Sequence, residues 1–175
     1  FKKLDRLDDS INCYQKIIDL EPKYIDAYIK KAELLILIGN SKAAQLLYQH
    51  AIKIDSKNII LYLKYGVLLN ELGHIDQALS IYKKSLEIEP NNPGALQNIG
   101  YIFKSKKRFD EAIKFLKKSV EIKADYNNYN NFAEIYLYLR NTPEAIIYYD
   151  KAIKIEPNNP ESYVGKAHAH QSIKE

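Results

Sequence analysis

Apolar and small residues return at helical spacing in the stretch Gly73–Pro90. Ala78, Tyr82 and Ser85 stand at i, i+4 and i+7, so they would share one face of an α-helix. Pro90 predicts the end of this helix, because a proline ring fits poorly after a residue that continues a helix. The stretch therefore predicts one amphipathic helix between a loop glycine and a terminal proline.

The same pattern recurs along the chain at a nearly constant interval. Small residues stand in phase with Ala78 at steps of 34 residues, or once 33, and these are Ser10, Ala44, Ala112 and Ala145. A large residue follows four positions after each of the five small ones: Tyr14, Tyr48, Tyr82, Leu116 and Tyr149. The proline recurs as Pro22, Pro90 and Pro157, whereas Ser56 and Ala124 take its place in the other two copies. A period of this length is typical of a solenoid of stacked helix pairs.

This phase divides the chain, as a single array, into whole and partial repeats. Whole repeats are predicted at 25–58, 59–92, 93–125 and 126–159, each with a first helix (helix A) antiparallel to a second (helix B). Residues 1–24 predict helix B of a partial repeat and residues 160–175 predict helix A of another, so we expect a piece cut from a longer array. Because the repeat at 126 begins one residue early, we expect the Ala124–Asn128 turn to be the least regular joint.

Glycine, asparagine and proline mark the predicted helix ends. Gly39 and Asn40 suit a left-handed end of a helix A. Asn92 followed by Pro93 predicts an N-cap and a proline in the first helical position. Helix A also carries a small residue at one recurring position, which we expect to let it approach helix B closely: Ala32, Gly66, Gly100, Ala133 and Ala167.

Composition and charge favour an ordinary folded protein. Hydrophobic residues make up 46% and charged residues 27% of the chain, which argues against disorder. Cys13 is the only cysteine, so neither an intrachain disulfide nor a zinc site of the CxxC type can form. No apolar run approaches the roughly 18 residues that cross a bilayer. A reducing compartment, cytoplasmic or nuclear, is therefore expected.

The residues that could carry catalysis are scattered. His168 and His170 are two positions apart on a predicted helix and point about 200° apart, so they cannot chelate one ion together. Cys13 has no recognisable histidine partner, and no glycine-rich phosphate loop occurs. We therefore expect no enzymatic activity, no cofactor and no metal site.

One repeat carries the sequence pattern of a known family. Its aromatic, small, large apolar, alanine, aromatic, small and proline positions are Tyr62, Gly66, Leu69, Ala78, Tyr82, Ser85 and Pro90. The chain resembles the tetratricopeptide repeat (TPR) family over nearly all of its length. This resemblance implies an all-α, right-handed superhelical solenoid of antiparallel helix pairs, with a concave wall made by the A helices. It also implies a non-catalytic scaffold for protein–protein interaction.

The resemblance places the partner-binding residues on A-helix positions that packing does not use. By phase these are Lys30, Glu33, Lys64, Asn70, Gln97, Asn98, Tyr101, Lys104, Asn130 and Asn131. Asparagine amides can bond the backbone of an extended peptide, and lysines favour acidic side chains on it. We therefore predict a protein or extended peptide, acidic in character, as the partner. The alternative interpretation is that these side chains are solvated polar positions.

Other functions compete with this prediction. Asn98 and Asn131 resemble the groove asparagines in the TPR arm of O-GlcNAc transferase, which would make the chain a substrate-recruiting arm of a larger enzyme. Glu33 and Glu134 stand among the lysines and argue against nucleic acid as a partner. The predicted terminal helix Tyr163–Ile173 has no partner helix after it, which predicts an uncovered apolar face and self-association.

Overall fold

The computed structural model describes residues 2–172, and of residues 2–5 only the backbone. Within these residues the chain forms ten α-helices and no strand, which confirms the all-α fold. In chain order the helices are α1 (Lys2–Leu20), α2 (Ile25–Leu37), α3 (Ser41–Ile54), α4 (Ile59–Glu71), α5 (Ile75–Ile88), α6 (Pro93–Ser105), α7 (Phe109–Ile122), α8 (Tyr126–Tyr138), α9 (Thr142–Ile155) and α10 (Pro160–Ser172). The even-numbered helices are the predicted A helices and the odd-numbered ones the B helices. The end of the predicted terminal helix, 173–175, lies outside the described residues.

The helices group into two compact units, Phe1–Glu89 and Pro90–Glu175. Unit 1 contains α1 to α5 and unit 2 contains α6 to α10. In each unit, consecutive helices pack against each other, and the short turns between them make the neighbours antiparallel. Each whole repeat predicted from the phase begins at the first residue of an A helix.

The turn from helix A to helix B has the same backbone conformation in four repeats. One residue of each turn lies in the left-handed region: Gly39 at φ 82°, Gly73 at φ 77°, Lys107 at φ 58° and Arg140 at φ 57°. The predicted left-handed end is therefore confirmed at Gly39. Asn40 was expected to share that conformation, but its φ is −90°, and its Oδ1 accepts a hydrogen bond from Ala43 N as the N-cap of α3.

The linkers from helix B to the next helix A follow the predicted caps. Asn92 Oδ1 accepts a hydrogen bond from Ala95 N at 3.0 Å, and Pro93 occupies the first turn of α6. Between α7 and α8 the linker is the shorter segment 123–125, where the other such linkers have one residue more. There the Asp125 carboxylate caps α8 through Asn128 N.

Small and aromatic residues meet where the helices cross, as the phase predicts. Ala78 on α5 is fully buried, and Tyr82 one turn later packs its ring against Gly66 of α4. Ala32 and Ala133 occupy the equivalent A-helix position and are also fully buried. Ala167 was expected to pack in the same way, but it is exposed, because no described helix covers that face of α10.

Tyrosine hydroxyls fasten several A helices to the preceding linker. Tyr28 donates to the Pro22 carbonyl at 3.0 Å, and Tyr62 donates to the Ser56 carbonyl at 2.9 Å. Tyr163 repeats the bond with Pro157 at 3.0 Å. The bond spans six residues each time, so it fixes the angle at which helix A leaves its linker.

Candidate functional site

Three charged side chains link the A helices of unit 1. Glu33 on α2 accepts from Lys30 at 3.0 Å on its own helix and from Lys64 at 2.7 Å on α4. The hydrogen bond from Lys64, with a further one from Lys30, lowers the pKa of Glu33, whereas the bond to Glu33 raises the pKa of Lys30. Both predicted lysines of this unit are therefore already paired with one carboxylate.

Exposed apolar side chains surround this charged group. Val67 on α4 is 40% exposed and Ile60 is exposed as well, while Asn70 is half-buried. Ile29 of α2 is buried and belongs to the core of unit 1 rather than to this surface. We call Lys30, Glu33, Ile60, Lys64, Val67 and Asn70 the A-helix surface of unit 1.

A second cluster links α6 and α8 in unit 2. Lys104 Nζ lies 2.6 Å from Asn131 Oδ1, also donates to Glu134, and stands 5.0 Å from the centre of the Tyr101 ring. The Lys104 side chain is only 16% exposed, and Asn131 is 8% exposed. Asn131 therefore positions Lys104, whereas Tyr101, at 44% exposed, offers its ring to solvent.

Amides continue this surface on both sides of the cluster. Gln97 Nε2 donates to the Asp125 carboxylate at 3.1 Å, and Asn98 beside it is half-buried. We call the exposed or half-buried side chains of α6, α8 and α10 in this region the A-helix surface of unit 2: Gln97, Asn98, Tyr101, Lys104, Asn130, Glu134, Glu161, Val164 and His168.

Asn130 joins α8 to α10 through a chain of hydrogen bonds. Its Nδ2 donates to the Tyr126 hydroxyl at 2.8 Å, and that hydroxyl donates to Glu161 at 3.2 Å. Its Oδ1 accepts from the buried Ser162 hydroxyl at 2.7 Å. The amide is thus satisfied on both sides and holds the Glu161 carboxylate in place.

A cleft of about 550 Å³ opens between α8, α9 and α10 beside this network. Its lining residues are Asn130, Glu134, Tyr149, Pro160, Glu161, Val164, Gly165 and His168. Burial, with a smaller effect of the Glu134 carboxylate, raises the pKa of Tyr149 to about 12. The sequence reasoning missed Glu161, Gly165 and Tyr126, although the phase already assigns Glu161 and His168 to the same helix face as Asn127 and Glu134.

The possible metal ligands are dispersed within the described residues. No group of three or more His, Cys, Asp and Glu side chains there could hold a metal ion. Cys13 is exposed. None of the helices between residues 2 and 172 combines the length and the apolar character needed to cross a membrane.

Four family models, each of the tetratricopeptide repeat, match the sequence. They cover residues 25–58, 47–80, 69–133 and 127–159, and together they run without interruption over well more than half of the chain. No curated protein sequence matches the chain significantly.

Solved structures of similar fold are numerous but distant in sequence. TTC0263, a thermophilic TPR protein of Thermus thermophilus, is 20% identical, with a TM-score of 0.76 over 97% of this chain and 93% of that one. MamA is 19% identical, with a TM-score of 0.74 over 89% and 92%. YrrB, described as a TPR protein with an unusual peptide-binding site, is 22% identical, with a TM-score of 0.70 over 97% and 86%. At these identities the similarity concerns the fold.

Proposed function

This chain belongs to the tetratricopeptide repeat family, and on that premise we propose that it is a non-catalytic scaffold that binds a segment of a partner protein. The binding surfaces are the A-helix surface of unit 1 and the A-helix surface of unit 2, each on its own. The setting we propose is intracellular, cytoplasmic or nuclear.

The observation that carries this proposal is the mutual support of side chains on neighbouring A helices. Glu33 joins α2 to α4, and Lys104 joins α6 to α8. Side chains fixed in this way lose less conformational entropy when a partner binds, and such preorganisation favours affinity. Exposed Val67 and Tyr101 stand beside these pairs and supply the apolar and aromatic contacts that dominate protein interfaces. YrrB, a protein of the same fold, is described as having a peptide-binding site, so this fold can carry one.

The charge of the partner is a separate question. An acidic partner segment stays a prediction, because it was inferred from the positive charges of Lys30, Lys64 and Lys104. Each of these lysines is paired with Glu33 or Glu134, so an acidic partner would have to compete with a carboxylate already in place. This pairing reduces the physical basis for an acidic partner.

The alternative to a scaffold is a substrate-recruiting arm of a larger enzyme, which Asn98 and Asn131 suggested. Asn131 is one of the two residues behind that resemblance, and it is buried and bonded to Lys104. We therefore propose the scaffold function alone.

A selection of random dodecapeptides on the immobilised chain tests this function. The selected peptides are then measured against variants of the two surfaces, Val67→Glu in unit 1 and Tyr101→Ala in unit 2. We expect one of the two to weaken binding by roughly tenfold, the loss typical of an interface hot spot. The matched controls, Leu46→Glu and Ile147→Ala, change exposed apolar residues on B helices and should leave binding unchanged.

Two outcomes would contradict the proposal. The first is that no peptide is selected. The second is that the selected peptides bind the surface variants and the controls with the same affinity as the original chain, since the binding would then lie elsewhere.

A further inference from the structure

We propose that the cleft between α8, α9 and α10 receives the lysine or arginine side chain of a bound protein segment. This inference rests on the proposed scaffold function and adds a chemical specificity to one of its surfaces. Three features support it: the space in the cleft, one hydroxyl that lacks a partner, and the charge of the lining.

The space exists because residue 165 has no side chain. A Cβ atom at Gly165 would lie 2.5 Å from the Tyr149 hydroxyl, so any other residue would press against that ring. One repeat earlier the equivalent position holds Asn131, whose side chain is buried against Lys104. Glycine at 165 therefore leaves the phenol edge of Tyr149 open to the cleft, whereas an asparagine there would cover it.

The Tyr149 hydroxyl is a polar group that the described protein leaves without a partner. The residue is only 4% exposed, its hydroxyl oxygen is not fully buried where it lines the cleft, and this hydroxyl makes no hydrogen bond to any residue between 6 and 172. A donor entering the cleft would satisfy the phenol oxygen, and ammonium and guanidinium groups are donors only.

The lining of the cleft is acidic. Glu161 accepts from the Tyr126 hydroxyl, and among the described residues no Lys, Arg or His nitrogen lies within 4.0 Å of its carboxylate. Glu134 forms an ion pair with Lys104, and His168 also lines the cleft. The uncompensated charge is therefore negative, which complements a basic side chain and repels an acidic one.

The carboxylate of Glu161 is oriented before any ligand arrives. The hydrogen bonds from Asn130 to Tyr126 and from Tyr126 to Glu161 engage one of its oxygens, Oε2. The other oxygen accepts no hydrogen bond from residues 6–172 and can accept a charge-assisted one. Val164, exposed beside it, gives the methylene stem of a lysine or arginine an apolar surface to lie on.

A titration followed by amide NMR of the full chain tests this assignment. The probe is N-acetyl-arginine-N-methylamide, and its uncharged match is the citrulline analogue. We expect saturable shifts at the amides of Asn130, Val164 and Gly165 with the arginine probe and none with citrulline. Equal shifts with both probes, or shifts confined to other regions, would overturn the assignment.

Variants of the acidic lining give a second measurement. Glu161→Gln keeps an acceptor for Tyr126 but removes the charge, and we expect it to weaken the arginine probe by roughly tenfold, as the loss of a charge-assisted hydrogen bond should. Glu121→Gln removes an exposed carboxylate of α7 in the same unit and should have no effect. A thermal melt of both variants checks that each is folded, and an unchanged affinity in folded Glu161→Gln sinks the proposal.

The dodecapeptides selected above separate this inference from the scaffold function. If they bind unit 2 with the same affinity after their basic residues are replaced by citrulline, the basic-side-chain specificity is wrong and the scaffold function stands. If no peptide is selected while the arginine probe still binds at Gly165, the affinity of the cleft for a basic group stands and the scaffold function is wrong.

Discussion

Gly66 lies so close to Tyr82 that a Cβ atom on Gly66 would stand 2.6 Å from Cζ of the tyrosine ring. The two residues belong to α4 and α5, and their contact sets how closely the two helices of this repeat approach. Gly100 and Leu116 repeat the relationship in unit 2, where the corresponding distance to Leu116 Cγ is 2.7 Å. Tight helix pairs in this protein thus have a glycine or an alanine on helix A opposite a large side chain on helix B.

The first prediction concerns this contact. Gly66→Ala should lower the free energy of unfolding by about 1–3 kcal/mol, because the buried ring of Tyr82 has no room to move away. Chemical unfolding followed by circular dichroism measures the change. A Gly66→Ala variant as stable as the original chain, or more stable, would contradict the packing that we describe.

A double-mutant cycle isolates the contact from other effects. Tyr82→Ala alone should cost about 3–5 kcal/mol, as large aromatic truncations do. In that background the steric cost of Gly66→Ala should vanish and turn into a gain of about 0.5–1 kcal/mol, since alanine favours a helix over glycine. Additive costs would show that the two residues do not contact each other.

The second prediction concerns the left-handed turns. Arg140 has φ 57°, a conformation in which a side chain is strained, so Arg140→Gly should raise the free energy of unfolding by about 0.5–1 kcal/mol. Gly73→Ala is the opposite change at an equivalent turn and should lower it by about 1 kcal/mol. An alanine Cβ at 73 would meet nothing within 4 Å, so the backbone alone would cause that loss. Thermal melts of both variants compare the two signs, and a shift of the same sign in both would refute the explanation.

The helix pairs could be predicted from the sequence because local rules determine them. Helix ends depend on residues that lie within a few positions, such as Asn92 before Pro93, and the structure confirms that cap. The buried face depends on the recurring phase of Ala78 and Tyr82, and both are buried. The left-handed turns at Lys107 and Arg140 could not be predicted, because lysine and arginine, unlike glycine and asparagine, do not signal such a turn in a sequence.

The candidate site could be predicted only in part, because its side chains pair across repeats. The phase assigns Lys64 and Lys104 to helix A, but it cannot show that Glu33 and Glu134 reach them from residues about thirty positions away. The phase also treats Asn131 as a groove residue, although its hydrogen bond to Lys104 buries it. Pairings of this kind depend on the distance between neighbouring A helices, which the one-dimensional pattern does not contain.

The third prediction concerns the tyrosine bonds to the linkers. Tyr62→Phe removes the hydrogen bond to the Ser56 carbonyl and should lower the free energy of unfolding by about 0.5–1.5 kcal/mol. Tyr82→Phe is the matched control, because the Tyr82 hydroxyl makes no hydrogen bond to any described residue. Urea unfolding at neutral pH compares them. Equal losses in the two variants would mean that removal of the hydroxyl group itself, rather than of its bond to the linker, determines the effect.

The fourth prediction concerns alkaline pH. Burial raises the pKa of Tyr48 and Tyr149 to about 12 and raises that of Tyr82 as well, above the ordinary value of 10.0. Because the folded state then holds these protons more tightly than the unfolded state, the stability they contribute is complete below pH 10 and falls as the pH rises toward 12. Each such tyrosine should steepen the fall by up to about 1.4 kcal/mol per pH unit.

Tyr82→Phe tests this linkage, because it removes one of the buried phenols and leaves the ring. The free energy of unfolding of the variant and of the original chain is measured in urea at steps from about pH 8 to about pH 11.5. Near pH 8 the two curves should lie close together, since no hydrogen bond to a described residue is lost. Above pH 10 the variant should lose stability more slowly, and the two curves should diverge as the pH rises. Parallel curves over the whole range would show that Tyr82 ionises with the same pKa in the folded and unfolded states, which its burial between α4 and α5 does not allow.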